Sequence, residues 1–264
     1  MQGTNLEKDC AIDIRGIHKS FSGGRYKIFT GLSLCVPKGS ITFVLGPSGV
    51  GKSVMLKHIL GLLKPDAGEV HIFGKPIPYD EPHELNDLRK HFGMLFQNAA
   101  LFDDMTVFEN VAFPLTEHRR KMSREERRIK VSDKLKAVGL EPEQTLDKYP
   151  NELSGGMRKR VGLARAIILE PEIMLYDEPT TGLDPMTRAT VDDLIVETNH
   201  RFGLTSIVIS HDIPSALYSG DKIAFLFEGK IVFFGTPTEF RKADHPMIQG
   251  FLKSEERHRK EMHA

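Results

Sequence analysis

Gly46-Pro-Ser-Gly-Val-Gly-Lys52-Ser53 constrains this chain more than any other stretch. It matches G-x-x-x-x-G-K-[ST] in full. The β-rich run Ser40–Leu45 precedes it, and a helical pattern of Val54, Met55, Leu56, Ile59, Leu60 and Leu63 follows. Phosphate oxygens are anionic and crowded. Glycines let backbone N–H groups approach them, and a helix start points its positive end at the same place. The motif therefore predicts a nucleoside triphosphate site built from Gly46, Pro47, Ser48, Gly49, Val50, Gly51, Lys52 and Ser53. Lys52 is placed to reach the β- and γ-phosphates, and Ser53 to offer a hydroxyl to Mg²⁺. By itself the motif does not say which reaction follows.

The surrounding pattern predicts an α/β fold. Strands are expected at Ala11–Ile17, Glu69–Phe73, near Gly93–Phe96, at Ile173–Tyr176 and at Thr205–Ser210. Helices are expected after Gly156 and over residues 188–200. Strands alternating with helices imply a mainly parallel sheet. Ile223–Phe227 and Ile231–Phe234 flank Glu228-Gly229-Lys230 and read as a hairpin. Strand patterns vanish from about Asn98 to Glu152. There Ser123-Arg-Glu-Glu126 is a capping box, followed by Ile129, Val131, Leu135 and Val138, with Gly139 as the stop. The expected organisation is a core of residues 1–97 and 156–240, an inserted helical lobe over 98–155, and a tail over 241–264. The tail is charged, without a clear core stripe, and reads as a peripheral helix or frayed end.

Two more motifs bear on chemistry. Ile173-Met-Leu-Tyr-Asp177-Glu178 is an apolar strand ending in two acids. Asp177 is placed to hold Mg²⁺ through water, and Glu178 to orient or deprotonate an attacking water. Two acids at a strand end are often merely solvated; the glycine loop is what gives this pair a reason. Leu153-Ser-Gly-Gly-Met157 opens a helix, with Ser154 as N-cap and Gly155 and Gly156 permitting close approach of an anion. A plain helix junction is the bland reading of it.

The order glycine loop, L-S-G-G, then hydrophobic-Asp-Glu resembles the ABC ATPase superfamily over nearly the whole chain. The resemblance implies a P-loop NTPase (RecA-like) core with antiparallel strands at one side and an inserted all-helical subdomain. It implies Gln97 as the Q-loop glutamine contacting Mg²⁺, Asp184 in the D-loop Thr181-Gly-Leu-Asp184, His211 as the γ-phosphate sensor and Glu178 as the base. Phe21 falls where an aromatic stacks on adenine, with Tyr26 as the lesser candidate. It further implies a head-to-tail dimer, in which the loop of one copy and Ser154, Gly155, Gly156 and Met157 of the other enclose each ATP.

A narrower likeness lies in residues 94–118, Met94-Leu-Phe-Gln-Asn-Ala-Ala-Leu-Phe followed by Val107-Phe-Glu-Asn-Val-Ala-Phe-Pro-Leu-Thr-Glu-His118. This stretch, with Met157 replacing the usual glutamine, is similar to the ATPase of MCE-associated, Mla-type phospholipid transporters of diderm bacteria. Asn98 and Ala99 depart mildly from that subfamily's pattern. The likeness implies transmembrane permease subunits, an MCE-domain protein, and a place on the cytoplasmic face of the inner membrane. Leu101, Phe102, Met105 and Phe108 offer an apolar surface after Gln97 that either joins the lobe's core or meets a permease. Import or export of another solute, a soluble ABC ATPase, and a binding module without hydrolysis are the competing readings. Glu178 and His211 argue against the last, and a single glycine loop without heptads against the soluble ATPase.

Composition adds bounds. Lys plus Arg and Asp plus Glu both number 36, so charge gives no case for a nucleic-acid partner. No apolar run approaches the ~20 residues needed to span a bilayer, so contact with a membrane is expected only through partners. Cys10 and Cys35 lack metal-site spacing and are expected to be reduced, buried and unpaired. Residues 117–136 hold nine Lys/Arg and four Asp/Glu, a net of +5, which suits either solvent or anionic headgroups.

Overall fold

The computed structural model describes residues 10–262, with side chains through 254. Two compact units divide the chain: residues up to Tyr79 together with Ile209 onward, and residues 80–208.

The first unit opens with two long strands, β1 (Cys10–Phe21) and β2 (Tyr26–Pro37), paired antiparallel. Strand β3 (Ile41–Leu45) is buried along its whole length and ends where the glycine loop begins. Helix α1 (Lys52–Ile59) follows, then β4 (Ala67–Ile72) and the short β5 (Lys75–Pro76). Strands β1, β2, β4 and β5 make an antiparallel sheet in the order β2-β1-β4-β5. Its inner residues Ile12, Ile14, Ile17, Leu32, Val36 and Val70 are each at most 1% exposed. Period-two burial of branched side chains is what holds such a sheet to its core.

The second unit begins with α2 (Pro82–Arg89) and β6 (Phe92–Leu95). No strand lies between residues 98 and 155, which carry α3 (Val107–His118), α4 (Arg124–Ala137), the short α5 (Pro142–Thr145) and a 3-10 turn at Pro150–Glu152. Both long helices start on capping boxes: Thr106 with Glu109 for α3, Ser123 with Glu126 for α4. Each cap is worth about 1 kcal/mol. The α4 box was legible in the sequence; Thr106-Val-Phe-Glu109 carries the same signal and extends it to α3. Within α4, Val131 and Leu135 are buried but Ile129 is 56% exposed, so the expected apolar stripe is narrower than read. Helix α6 (Gly155–Ala166), β7 (Ile173–Asp177), α7 (Pro185–Phe202) and β8 (Thr205–Ile209) complete the unit. Strands β6 and β7 are parallel, in the register Phe92↔Ile173 to Leu95↔Tyr176. Helix α7 is longer than the sequence pattern suggested because Asp184 caps its start and Gly203, at φ 62°, stops it.

The chain then returns to the first unit through α8 (Ile213–Ser219), β9 (Lys222–Phe227), β10 (Lys230–Gly235), α9 (Pro237–Arg241) and α10 (Pro246–Met262). Strand β9 runs parallel to β3, and β10 antiparallel to β9. Glu228 and Gly229 both take positive φ, 47° and 74°, which a two-residue hairpin turn of right-handed strands favours. The tail differs from its sequence reading in one respect. Ile248 on α10 is fully buried and the Phe251 ring stands edge-on to Phe225 at 5.4 Å, so the helix has an apolar anchor spaced three residues apart. The side chains of residues 255–264 lie outside the described residues.

Cys10 and Cys35 form a disulfide, with Cα atoms 5.5 Å apart. This corrects the expectation that they stand reduced and unpaired. Linear spacing could not show it, because antiparallel pairing of β1 and β2 brings together positions that are 25 residues apart. Closing a loop of that length stabilises a chain by about 3 kcal/mol. Cys10→Ser with Cys35→Ser is therefore expected to lower the urea midpoint under oxidising conditions, and dithiothreitol to lower the wild type to the same value. Equal midpoints for all three samples would show that the bond contributes nothing.

Candidate functional site

In the first unit, close contacts at two positions of the glycine loop leave no room for side chains. A Cβ at Gly46 (φ 153°) would run into the Leu226 carbonyl oxygen, and one at Gly51 (φ 108°) would lie 2.7 Å from Ile28 Cγ2. Gly49 (φ 78°) has open space, so only its backbone angle asks for glycine. Gly51 in the left-handed region caps α1 with no side chain, leaving the first-turn N–H groups to face an anion. The Lys52 ammonium donates to the Gly46 carbonyl at 2.7 Å and the Pro47 carbonyl at 3.2 Å, which places a cation over the loop. Lys52 is 7% exposed. On the same helix, His58 is fully buried, its Nδ1–H donates to the Leu63 carbonyl and its ring stands 5.7 Å from Phe29; burial pushes its pKa down. It is a neutral packing residue that the sequence did not flag.

The same unit holds His211 and both aromatic candidates. The Ser210 amide donates to the Val44 carbonyl at 3.3 Å, tying the segment before His211 to the last residues of the strand that feeds the loop. The Asp212 amide donates to Ser210 Oγ, and Asp212 in turn caps α8. His211 itself is exposed at this turn. Phe21 and Tyr26 lie opposite each other at the mouth of the β1–β2 hairpin and are 39% and 60% exposed. The Lys19 ammonium sits 5.7 Å above the Phe21 ring. Aromatic faces open to solvent suit stacking on a base.

In the second unit, parallel register brings Gln97 and the acids to one place. Leu95 pairs with Tyr176, so Gln97 and Asp177-Glu178 emerge from the same ends of adjacent strands. Tyr176 is fully buried and Asp177 half-buried. Glu178 takes φ 51°, a left-handed conformation rare for a side chain of its size. Its Oε2 accepts from Thr181 Oγ1 at 3.0 Å, which fixes the carboxylate's direction. Asp184 has a structural task here. Its oxygens accept from the Met186 and Thr187 amides at 3.1 and 3.0 Å and from Thr187 Oγ1 at 2.6 Å, and the Thr187 bonds hold its carboxyl below the usual range.

Ser154 caps α6 by accepting from the Met157 amide at 3.2 Å. Neither Gly155 nor Gly156 is required by the chain's own packing. An added Cβ would meet nothing nearer than 3.9 Å at the first or 3.7 Å at the second, and both have ordinary φ. Glycine in a helix start costs up to ~1 kcal/mol relative to alanine. Bare backbone at this helix start leaves room for close approach of an anion.

The apolar residues after Gln97 divide. Phe108 is buried, whereas Phe102 and Phe113 form an exposed ring pair 5.0 Å apart. Asn110, fully buried, donates to the carbonyls of Phe102, Met105 and Thr106 and accepts from the Phe102 amide. It ties the post-Gln97 loop to α3; within Val107-Phe-Glu-Asn110 nothing but its polarity among apolar neighbours signals this. Of the nine cations in 117–136, Lys134 turns inward, to Glu170 at 3.2 Å and over the Phe202 ring at 4.7 Å. Among the described residues there is no group of three or more His, Cys, Asp or Glu that could hold a metal, and no helix long and apolar enough to cross a membrane.

The family model described as "ABC transporter" matches residues 29–181. The chain is 43% identical over 241 residues to the "Intermembrane phospholipid transport system ATP-binding protein MlaF" of Escherichia coli K12, covering 91% of this chain and 88% of that one. It is 42% identical over 242 residues to the "Probable ribonucleotide transport ATP-binding protein mkl" of Mycobacterium leprae, covering 92% of this chain and 68% of that one. The Mycobacterium bovis counterpart is covered over 66% of its length, so the chain spans about two thirds of these mycobacterial relatives. Among solved structures, cbiO1 of Clostridium perfringens, part of the ABC transporter complex cbiONQ, superposes with TM-score 0.81 at 30% identity, covering 94% of this chain and 99% of that one. A dimeric bacterial ABC transporter cassette gives 0.76 at 35% identity, covering 86% and 98%. The same cassette is also known in a post-hydrolysis state bound to ADP and Pi.

Proposed function

This chain belongs to the ABC transporter family as an ATP-binding ATPase subunit, and from that premise we propose that it drives phospholipid transport between the inner and outer membranes. The observation that carries the substrate class is the likeness to MlaF, 43% over nine tenths of the chain, together with residues 94–118.

In this reading two copies stack head to tail. The amides of Gly46–Ser53 and the Lys52 ammonium hold the β- and γ-phosphates of ATP. Phe21 stacks on the adenine, and Ser154, Gly155, Gly156 and Met157 of the second copy close over the γ-phosphate. The two glycines that the fold does not need support this, because they leave a helix start bare for an anion. Glu178 takes the proton of the attacking water and His211 senses the γ-phosphate. Asp184 lies at the facing surface between copies. Ser53, Gln97 and Asp177 offer oxygen donors, which suit Mg²⁺. When bound, that ion would offset the charge developing on the transferred phosphoryl group. Residues 98–155 act as the helical subdomain, and residues 1–97 and 156–240 supply the ATPase core. The exposed Phe102–Phe113 pair meets a permease subunit, an MCE-domain protein completes the complex, and the chain is held at the cytoplasmic face of the inner membrane through these partners.

A second reading, transport of another solute, is favoured by the mycobacterial relatives, whose name specifies ribonucleotides at nearly the same identity. One experiment separates the two. The Glu178→Gln chain is co-expressed with the membrane proteins encoded beside it, affinity-purified with ATP, and its co-purifying proteins and lipids are identified by mass spectrometry. A permease with an MCE-domain protein and enriched phospholipid is expected. A permease without either would leave the ATPase in place and transfer the substrate to the second reading.

A further inference from the structure

Helix α6, capped by Ser154, carries four cations that donate to main-chain carbonyls, and two of them, Lys159 and Arg165, reach the loops that follow Glu178 and Gln97. Lys159 is 6% exposed, and its ammonium donates to the Pro179 carbonyl. The Arg165 guanidinium donates to the carbonyls of Ala99 at 2.7 Å and Ala100 at 2.8 Å. Pro179 directly follows Glu178, and Ala99 and Ala100 closely follow Gln97. Six positions on a helix turn by about 240°, so the two side chains leave α6 on different sides and reach different loops.

Both loops hold backbone that L-residues avoid. Glu178 has φ 51°, Ala99 59° and Ala100 47°. Such conformations persist only where the surroundings over-determine them. For Ala99 and Ala100 the restraint is a guanidinium spanning two consecutive carbonyls, together with close packing: a Cβ at Gly162 of α6 would lie 2.9 Å from Ala99 Cβ. For Glu178 it is the Thr181 hydroxyl on one side and the Lys159 ammonium at the next carbonyl on the other. Burying an ammonium against a neutral acceptor is costly, and it pushes the lysine pKa down. An apolar side chain would avoid that cost but would leave the Pro179 carbonyl untied.

We propose that Lys159 and Arg165 are positioning residues through which α6 sets both loops: Lys159 places Glu178, and Arg165 places Gln97. The N-terminal turn of the same helix is the Ser154-Gly155-Gly156 surface. A nucleotide held there by a second copy thus seats one rigid element that carries both loops with it. The inference rests on the roles given above to Glu178 and Gln97. Neither cation touches nucleotide; each acts through main-chain carbonyls.

The test uses the purified full-length chain with ATP as the probe. Lys159→Met is expected to lower kcat about tenfold while KM and ATP affinity stay within about twofold, the loss of one charge-assisted bond felt only at the base. Lys159→Arg, which retains a donor, is expected to recover most of the rate. Amide hydrogen exchange should quicken at residues 178–181 in Lys159→Met and at 97–101 in Arg165→Met, and not elsewhere. An unchanged kcat overturns the proposal. So does a parallel loss of ATP affinity, a Lys159→Arg variant as slow as Lys159→Met, or a uniform rise in exchange. Glu178→Gln separates the two levels. If it hydrolyses ATP normally, the role of Glu178 is wrong; if it is inactive while Lys159→Met is normal, this inference alone fails.

Discussion

Glu178→Gln abolishes steady-state hydrolysis, lowering kcat by about 100-fold or more, and leaves ATP binding in place. Glutamine has the shape of glutamate, and its carbonyl oxygen still accepts from Thr181 Oγ1, so the orientation seen at 3.0 Å is kept. What is lost is the ability to take a proton from water, and a positioned general base contributes about 10²–10⁴-fold. With release blocked at the chemical step, ATP should hold two copies together. The checks are phosphate release for the rate, a fluorescent ATP analogue for binding, and light scattering with and without ATP for the mass. A variant within threefold of wild type in hydrolysis would remove Glu178 from the base position. Loss of ATP binding would instead show that the carboxylate's charge, and not its basicity, is what the site uses.

Gly46→Ala and Gly49→Ala diverge sharply although they alter the same loop. At Gly46 the new methyl group meets the Leu226 carbonyl oxygen, part of β9, and backbone cannot rotate away as a side chain can. Val50 Cγ1 is a further neighbour at 3.3 Å. Overpacking against a fixed group costs roughly 2–4 kcal/mol, which in a chain of this size lowers Tm by about 5–10 °C. The loop must also shift to relieve the clash, so ATP affinity is expected to fall more than tenfold. At Gly49 nothing lies within 4 Å, and only the φ of 78° opposes a side chain. That costs about 1–2 kcal/mol with little displacement. Calorimetry and nucleotide titration of the two variants read the difference directly. Equal Tm shifts would mean that the loop yields at Gly46.

Much of the site was legible because its chemistry is local. A glycine loop must be contiguous to wrap a phosphate, so Gly46–Ser53 reads directly, and so do the strand before it and the helix after it. The same holds for the acids, which simply follow an apolar strand, and for Ser154, whose capping reach spans three residues. Glu228-Gly229 is likewise local, since both residues must reach positive φ in a two-residue turn.

Other features depend on pairs that sequence distance hides. Cys10 and Cys35 meet only because β1 and β2 pair, and the apolar anchor of α10 appears only once Phe225 lies beneath Phe251. Asp184 reads as a nucleotide-facing residue by motif, yet the fold also makes it the N-cap of α7. Lys159 and Arg165 are two charges in the run Arg158-Lys-Arg-Val-Gly-Leu-Ala-Arg165, and nothing in that run says which of them turn inward. Sequence determined the glycine loop, the pair of acids after an apolar strand, the helix starts and the α/β class, because each needs a residue type at a short fixed spacing. Tertiary structure decided which cysteines pair, which cations are buried and which carbonyls they hold. Those contacts close loops of tens of residues, and only packing in three dimensions selects among the many closures a chain permits.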